Sequence, residues 1–218
     1  MLGVPKGSSS SATAMLNWIV QNLGGPTSLI FIGAIVSAVG AVWAQIESNR
    51  QNQQILELNH KITNTVTGGN SYPNIGPVFV ARHGEQGDIR YLHLAHSGQY
   101  PLYDLVVIVT DLEKLDQLQK KGGPFKMDEY MWRFHIGTIG KGFEQKLMEV
   151  PNPKAQTMRF NIISFARNGQ FNQRSIFTKV NGEWVTGTRL VKEGQVVFEQ
   201  VSQKFPKDLL PLLTQNGV

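Results

Sequence analysis

The spacing of apolar positions changes character twice along this chain, and each change marks a new element. Residues 7–45 carry no charged side chain, and residues 28–46 are almost continuously apolar. A run of that length is what a helix needs to cross the hydrocarbon core of a bilayer. Beyond it the chain turns polar and rich in Gln and Asn, while Ile55, Leu58, Ile62 and Val66 recur at helical spacing with no Gly or Pro among them. This predicts a helical stalk with one apolar stripe. After Pro73 the apolar positions alternate, which is the period of half-buried strands.

These patterns divide the chain into a disordered lead (residues 1–14), an interfacial segment and hinge (15–27), a transmembrane helix (28–46), a helical stalk (47–72) and a β-sandwich domain (73–218). In the interfacial segment Leu16, Ile19, Val20 and Leu23 share one helical face, and Gly24-Gly25-Pro26 breaks the chain. Such a helix lies on a membrane surface rather than across it. Thr67-Gly68-Gly69 and Pro73 mark the end of the stalk helix.

Residues 28–46 have three readings: an uncleaved anchor, a signal peptide cut after Ala44, and the core helix of a soluble protein. Length, lack of charge and the polar stretch that follows favour the anchor. Trp43 then stands where an interfacial aromatic belongs. Gly33, Ser37 and Ala41 recur every four residues, a spacing that lets two membrane helices approach closely. The stalk stripe supports a homodimer through helix and stalk. Its alternative is a helix packed on the chain's own β domain. Lys6 precedes the helix, while Glu47 and Arg50 cancel after it, so the positive-inside rule puts the main domain outside the cytoplasm.

Candidate strands in the last domain are 78–83, 89–96, 102–111, 131–136, 143–150, 159–167, 171–180, 183–191 and 195–201. Asn168-Gly169, Asn181-Gly182 and Glu193-Gly194 separate the last four. Asn-Gly between alternating segments predicts type I′ hairpin turns, and hence a four-stranded meander. The continuous run 105–109 predicts a central strand buried on both faces. Residues 111–121 predict a short helix between strands, residues 207–213 a short terminal one, and Trp184 a core anchor between sheets. The fold class expected is mainly β: an antiparallel β-sandwich, with an immunoglobulin-like form as one option, preceded by one transmembrane helix and the stalk.

Charge and composition then narrow the chemistry. The net charge of +5 comes from interspersed residues rather than a basic stripe, so no nucleic-acid partner is expected. The chain has no cysteine, which removes disulfides, thiolate metal sites and thiol nucleophiles. His93 and His96 are three apart in a predicted strand and point to opposite faces. A His83/His93/Asp88 metal cluster across a hairpin has no spacing to fix it, and no metal or cofactor is expected.

One catalytic motif stands out. Val78-Phe-Val-Ala-Arg82-His83-Gly84-Glu85 resembles the apolar-strand–Arg-His-Gly signature of the histidine phosphatase and phosphoglycerate mutase family. The resemblance implies His83 as a phosphoryl-accepting nucleophile and Arg82 as a phosphate ligand. That family also needs a second histidine far downstream on a parallel, helix-connected sheet. The only similar text here, Leu94-Ala95-His96-Ser97-Gly98, comes within the next predicted strand.

Taken whole, the chain resembles a group of uncharacterised bacterial membrane-anchored proteins with one N-terminal helix, a helical stalk and a β-sandwich. The text that carries the likeness is Thr67-Gly-Gly-Asn-Ser-Tyr-Pro73 after the stalk and Gly98-Gln-Tyr-Pro-Leu-Tyr-Asp104 entering an apolar strand. The resemblance implies a bacterial or phage source and an anchored β domain, and no activity. The function expected is a membrane-anchored binding or structural module whose partners are the lipid bilayer and a protein not identified by the sequence. The alternatives are a membrane-tethered phosphatase using Arg82 and His83, and a secreted β domain released after Ala44.

Overall fold

The computed structural model describes residues 26–82, 85–152 and 155–214, together with helical positions 13, 14, 17, 18 and 21. The expected lead and most of the interfacial segment lie outside the described residues. The chain forms two compact units, Met1–His60 and Lys61–Val218.

The first unit is carried by helix α1 (Pro26–Thr67), whose last two turns belong to the second unit. It is long and apolar enough to cross a membrane, and its most apolar window is entirely unburied. Its 42 residues extend for about 63 Å, roughly twice a bilayer's hydrocarbon thickness. The apolar run and the polar stretch after it are therefore one unbroken helix, with no break at Gln45 or Ile46. Ile55, Leu58, Ile62 and Val66 are all exposed.

The second unit is mainly β, built as two antiparallel sheets. The three-stranded sheet has the order β1 (Tyr72–Arg82), β2 (Glu85–Ser97), β5 (Glu144–Glu149). The six-stranded sheet runs β4 (Met131–Ile139), β3 (Leu102–Asp111), β6 (Thr157–Ala166), β7 (Gly169–Val180), β8 (Glu183–Lys192), β9 (Gln195–Val201). The meander expected from the hairpin signals is β6 to β9. One buried cluster draws on both sheets: Ile75, Leu92 and Leu94 from the smaller, and Val107, Phe160, Ile162 and Phe177 from the larger. Trp184 joins this cluster and is nearly covered.

Two expectations change. The run 105–109 is buried on one face only: Leu105, Val107 and Val109 are fully covered, whereas Val106 and Ile108 are half-buried. A strand can sit centrally between β4 and β6 and still keep one face uncovered where no helix lies over it. The turn at 168–169 also differs. Asn181-Gly182 and Glu193-Gly194 both take positive φ, as a type I′ turn requires. In the first hairpin Ala166 pairs with Gly169, so Arg167-Asn168 is the loop, and neither takes positive φ. Asn168 is held by other contacts, described below.

Helix α2 (Leu112–Lys121) covers part of the outer face of the larger sheet. Asp111 starts it as N-cap, its Oδ1 accepting from Lys114 N at 3.0 Å, and Lys120 and Lys121 suit its C-terminal end. Arg159 of β6 ties the helix down through Glu113, 2.6 Å from its Nε, and Asp116. The rest of that face carries a single 3-10 turn (Lys207–Leu209) leading into α3 (Leu210–Thr214). Phe205 and Leu213 pack there on Ile176 and Val185. Gly187 makes this approach feasible: a Cβ there would lie 2.8 Å from Phe205 and Leu213.

Candidate functional site

Two features are built for something other than core packing: the bare helix and the joint that joins it to the sheets. The joint begins where α1 ends. Gly68 N donates to Asn64 O at 2.9 Å, and Gly68 and Gly69 both adopt positive φ, the usual way to stop a helix. Space also demands glycine here, because a Cβ at Gly69 would lie 2.6 Å from the Tyr100 ring. Ser71 is fully buried, and its hydroxyl accepts from Tyr100 N at 2.9 Å.

Side chains from the Arg167-Asn168 loop close the joint from the far end of the sequence. Asn168 Nδ2 donates to Gly69 O at 3.1 Å and Ser71 O at 2.7 Å, with a longer approach to Gly68 O. Arg167 pairs with Asp104 at 2.9 Å, stacks 4.8 Å from the Tyr103 ring centroid, and reaches Val66 O at 3.4 Å. The helix end and the residues just after it are therefore bonded to a loop about a hundred residues away, through the carbonyls of Val66, Gly69 and Ser71. The last turn of α1 is thereby tied to the segment that leads into the first strand, which starts at Tyr72.

The catalytic candidates lie at the edge of the described residues. Arg82 ends β1, with its backbone paired to Glu85 across the β1–β2 hairpin. Its side chain, and all of His83, lie outside the described residues. His93 Nε2 is 3.9 Å from Glu144, His96 Nε2 is 2.8 Å from Tyr100 O, and Asp88 is paired with Lys179 at 2.8 Å. No group of three potential metal ligands occurs among the described residues.

An open cleft of about 330 Å³ lies beside the start of α2, lined by Asp111, Glu113, Lys114, Glu129, Asn152 and Thr157 among others. Its carboxylates are already committed. Asp111 caps the helix, Glu113 holds Arg159, and Glu129 accepts from Lys126 N at 3.1 Å. Burial pushes the Asp111 carboxyl up from its ordinary value, against the opposing pull of the backbone N–H groups it accepts from. Each of these three carboxylates already has a partner within the chain.

Gln173 was not distinguished by the sequence pattern from the other polar residues of β7. It is buried, and its amide grips the backbone of Ile75, accepting from the N–H at 3.2 Å and donating to the carbonyl. Strand parity was the available signal, since position 173 shares a face with Phe171 and Phe177. Comparison with known protein families, curated proteins and solved structures returns no match to this chain.

Proposed function

We propose that this chain is a single-pass membrane protein whose helix anchors and lifts a β-sandwich that serves as a binding or structural module. The observation that carries the reading is the continuity of α1. An uncharged apolar stretch suited to a bilayer runs without a break into a polar stretch, and that stretch ends in a bonded joint with the sheets. Of its roughly 63 Å, about 30 Å fits the hydrocarbon and the rest stands off the surface. The same continuity favours an anchor over cleavage after Ala44, because Val42–Ile46 lies in mid-helix rather than in an extended segment.

The sandwich is supported by the shared core cluster and by Gln173, which bridges β7 to β1. The immunoglobulin-like form has less support, since β6 to β9 run as a simple meander within one sheet rather than as a Greek key. The proposed site of the β unit is outside the cytoplasm, on the charge bias around the helix. In this reading the β unit meets its partner through strand edges or loops.

Protease treatment of sealed vesicles tests this reading. In vesicles that expose the β unit, cleavage should release it as one resistant block and leave the helix in the membrane. In vesicles of the opposite orientation only the N-terminal lead should be trimmed, with the helix and β unit protected. Release from both, or from neither, would sink the proposal.

A further inference from the structure

Arg174 of β7 is a cation without a counterion among the described residues. It is half-buried and shares the outer face of the larger sheet with Ile176. Its Nε is buried and has no hydrogen-bond partner. A charge taken partly out of water needs a partner, or its burial costs free energy. Burial, and then the charge of Arg159, push the pKa of the Arg174 guanidinium down from its ordinary value.

The neighbours make the deficit specific. Arg174 stands opposite Asn161 of β6 and Arg189 of β8, and side chains opposite one another on a sheet face are about 5 Å apart at Cβ. Arg159 lies diagonally from it on β6. The nearby acids are taken, since Glu113 and Asp116 hold Arg159 and Glu199 holds Arg189 at 3.2 Å. Three carboxylates therefore match three guanidinium groups in charge, yet none of them is bonded to Arg174. Beside it lies a cavity of about 20 Å³, lined by Leu112, Arg159, Phe160, Arg174, Ile176 and Leu212 among others. That is room for one water-sized group.

We infer that Arg174 is a binding site for a small singly charged anion, a carboxylate or a chloride ion, with Asn161 on the neighbouring strand as a second donor. Size and charge both select this class. The cavity admits one oxygen or one halide, and not the four oxygens of a phosphate. One negative charge supplies the missing contact, whereas a dianion would add surplus charge beside Glu113, Asp116 and Glu199. A water molecule would satisfy the Nε–H group but not the charge. The planar fork of a guanidinium is matched to carboxylate oxygens. Arg159 shows that match, meeting Glu113 through Nε and Asp116 through Nη2. The site lies wholly within the β unit, so it does not depend on the anchor reading.

Thermal unfolding of the full chain in a non-ionic detergent tests this, with Arg174→Gln and Arg174→Lys alongside. Sodium chloride, sodium acetate and sodium sulfate are compared at equal ionic strength, so that general screening is common to all three. Chloride or acetate should raise the parent's Tm saturably, by about 3 °C at a tenfold excess over Kd. Whichever of the two acts at the lower concentration identifies the anion that the site prefers. Arg174→Gln should keep only the shallow, non-saturating response, and at low salt it should match or exceed the parent's Tm because it removes the unmatched charge. Arg174→Lys keeps the charge but loses the fork, so it should need several-fold more anion for the same shift. Parent and variants that respond alike to the three salts, or a saturable effect strongest for sulfate, overturn the inference.

Discussion

Gln173 binds Ile75 as a neighbouring strand would, with its side-chain amide meeting both the N–H and the C=O of one residue on β1. Ile75 sits opposite Leu94 of β2, and β1 is an edge strand of the smaller sheet. An edge strand presents unpaired backbone groups, and here one residue's pair is satisfied across the core by a side chain of the other sheet. Gln173 also donates to Ser175 Oγ at 2.8 Å, and Ser175 lies 3.3 Å from Thr188 Oγ1. The result is a short polar chain within an apolar interior.

Replacing Gln173 with Leu keeps the volume but orphans two buried backbone groups. The expected loss is roughly 2–5 kcal/mol, seen as a fall in Tm on the order of 5–15 °C. Gln173→Glu keeps an acceptor for the N–H yet sets a carboxylate against the Ile75 carbonyl. It should be worse than Leu at neutral pH and recover on acidification, because a buried carboxyl with a raised pKa loses stability as pH rises. Thermal unfolding of both variants across pH checks this. A Leu variant as stable as the parent would mean that the contact carries no weight.

Asn168 makes a second prediction, about the joint. Asn168→Ala removes the donor that serves Gly69 and Ser71. Stability should fall by about 1–3 kcal/mol, and amide exchange should accelerate at 68–71 before it does in β6 or β7. Asn168→Asp turns that donor into an acceptor facing carbonyls, so it should cost more than Ala. Equal protection in all three proteins would show that the helix end is held by other means.

The N-cap of α2 separates charge from hydrogen bonding. Asp111→Ala should cost about 0.5–2 kcal/mol through loss of the cap. Asp111→Asn retains an acceptor while relieving the burial of a charge. Since burial raises this carboxyl's folded pKa, its contribution is favourable below the unfolded pKa and is lost as pH rises through the folded one. The Asn variant should therefore gain on the parent as pH climbs from acid to neutral. Stability curves that stay parallel across that window would contradict the assignment.

Gly187 controls the cover of the outer face. Gly187→Ala forces Phe205 and Leu213 aside, at a cost on the order of 1–3 kcal/mol typical of overpacking. Limited proteolysis should then cut in the segment after Val201 well before the sheets. Unchanged resistance there would mean that the terminal segment readjusts without loss.

Much of this architecture is legible in local pattern. The change from apolar run to stripe to alternation separates α1 from the sheets. Strands β3 and β9 end at the expected bounds, and positive φ at Asn181, Gly182 and Gly194 follows from residue type. What could not be read depends on partners distant in sequence. Asn168 looked like a hairpin residue, but its conformation is set by carbonyls about a hundred positions earlier. Gln173 has a role only because β1 and β7 meet in space. The pairings β2–β5 and β3–β6 skip over intervening elements, and local periodicity carries no record of which strands become neighbours.

The central claim is that residues 28–46 hold the β unit to a bilayer, and alkaline carbonate extraction of membranes from cells making the full chain tests it most directly. The intact chain should stay in the membrane pellet, while a variant with Ile35→Arg and Val39→Arg in the apolar run should move to the supernatant with its β unit folded. An unaltered chain that is extracted by carbonate, or recovered without its first 44 residues, would contradict the account.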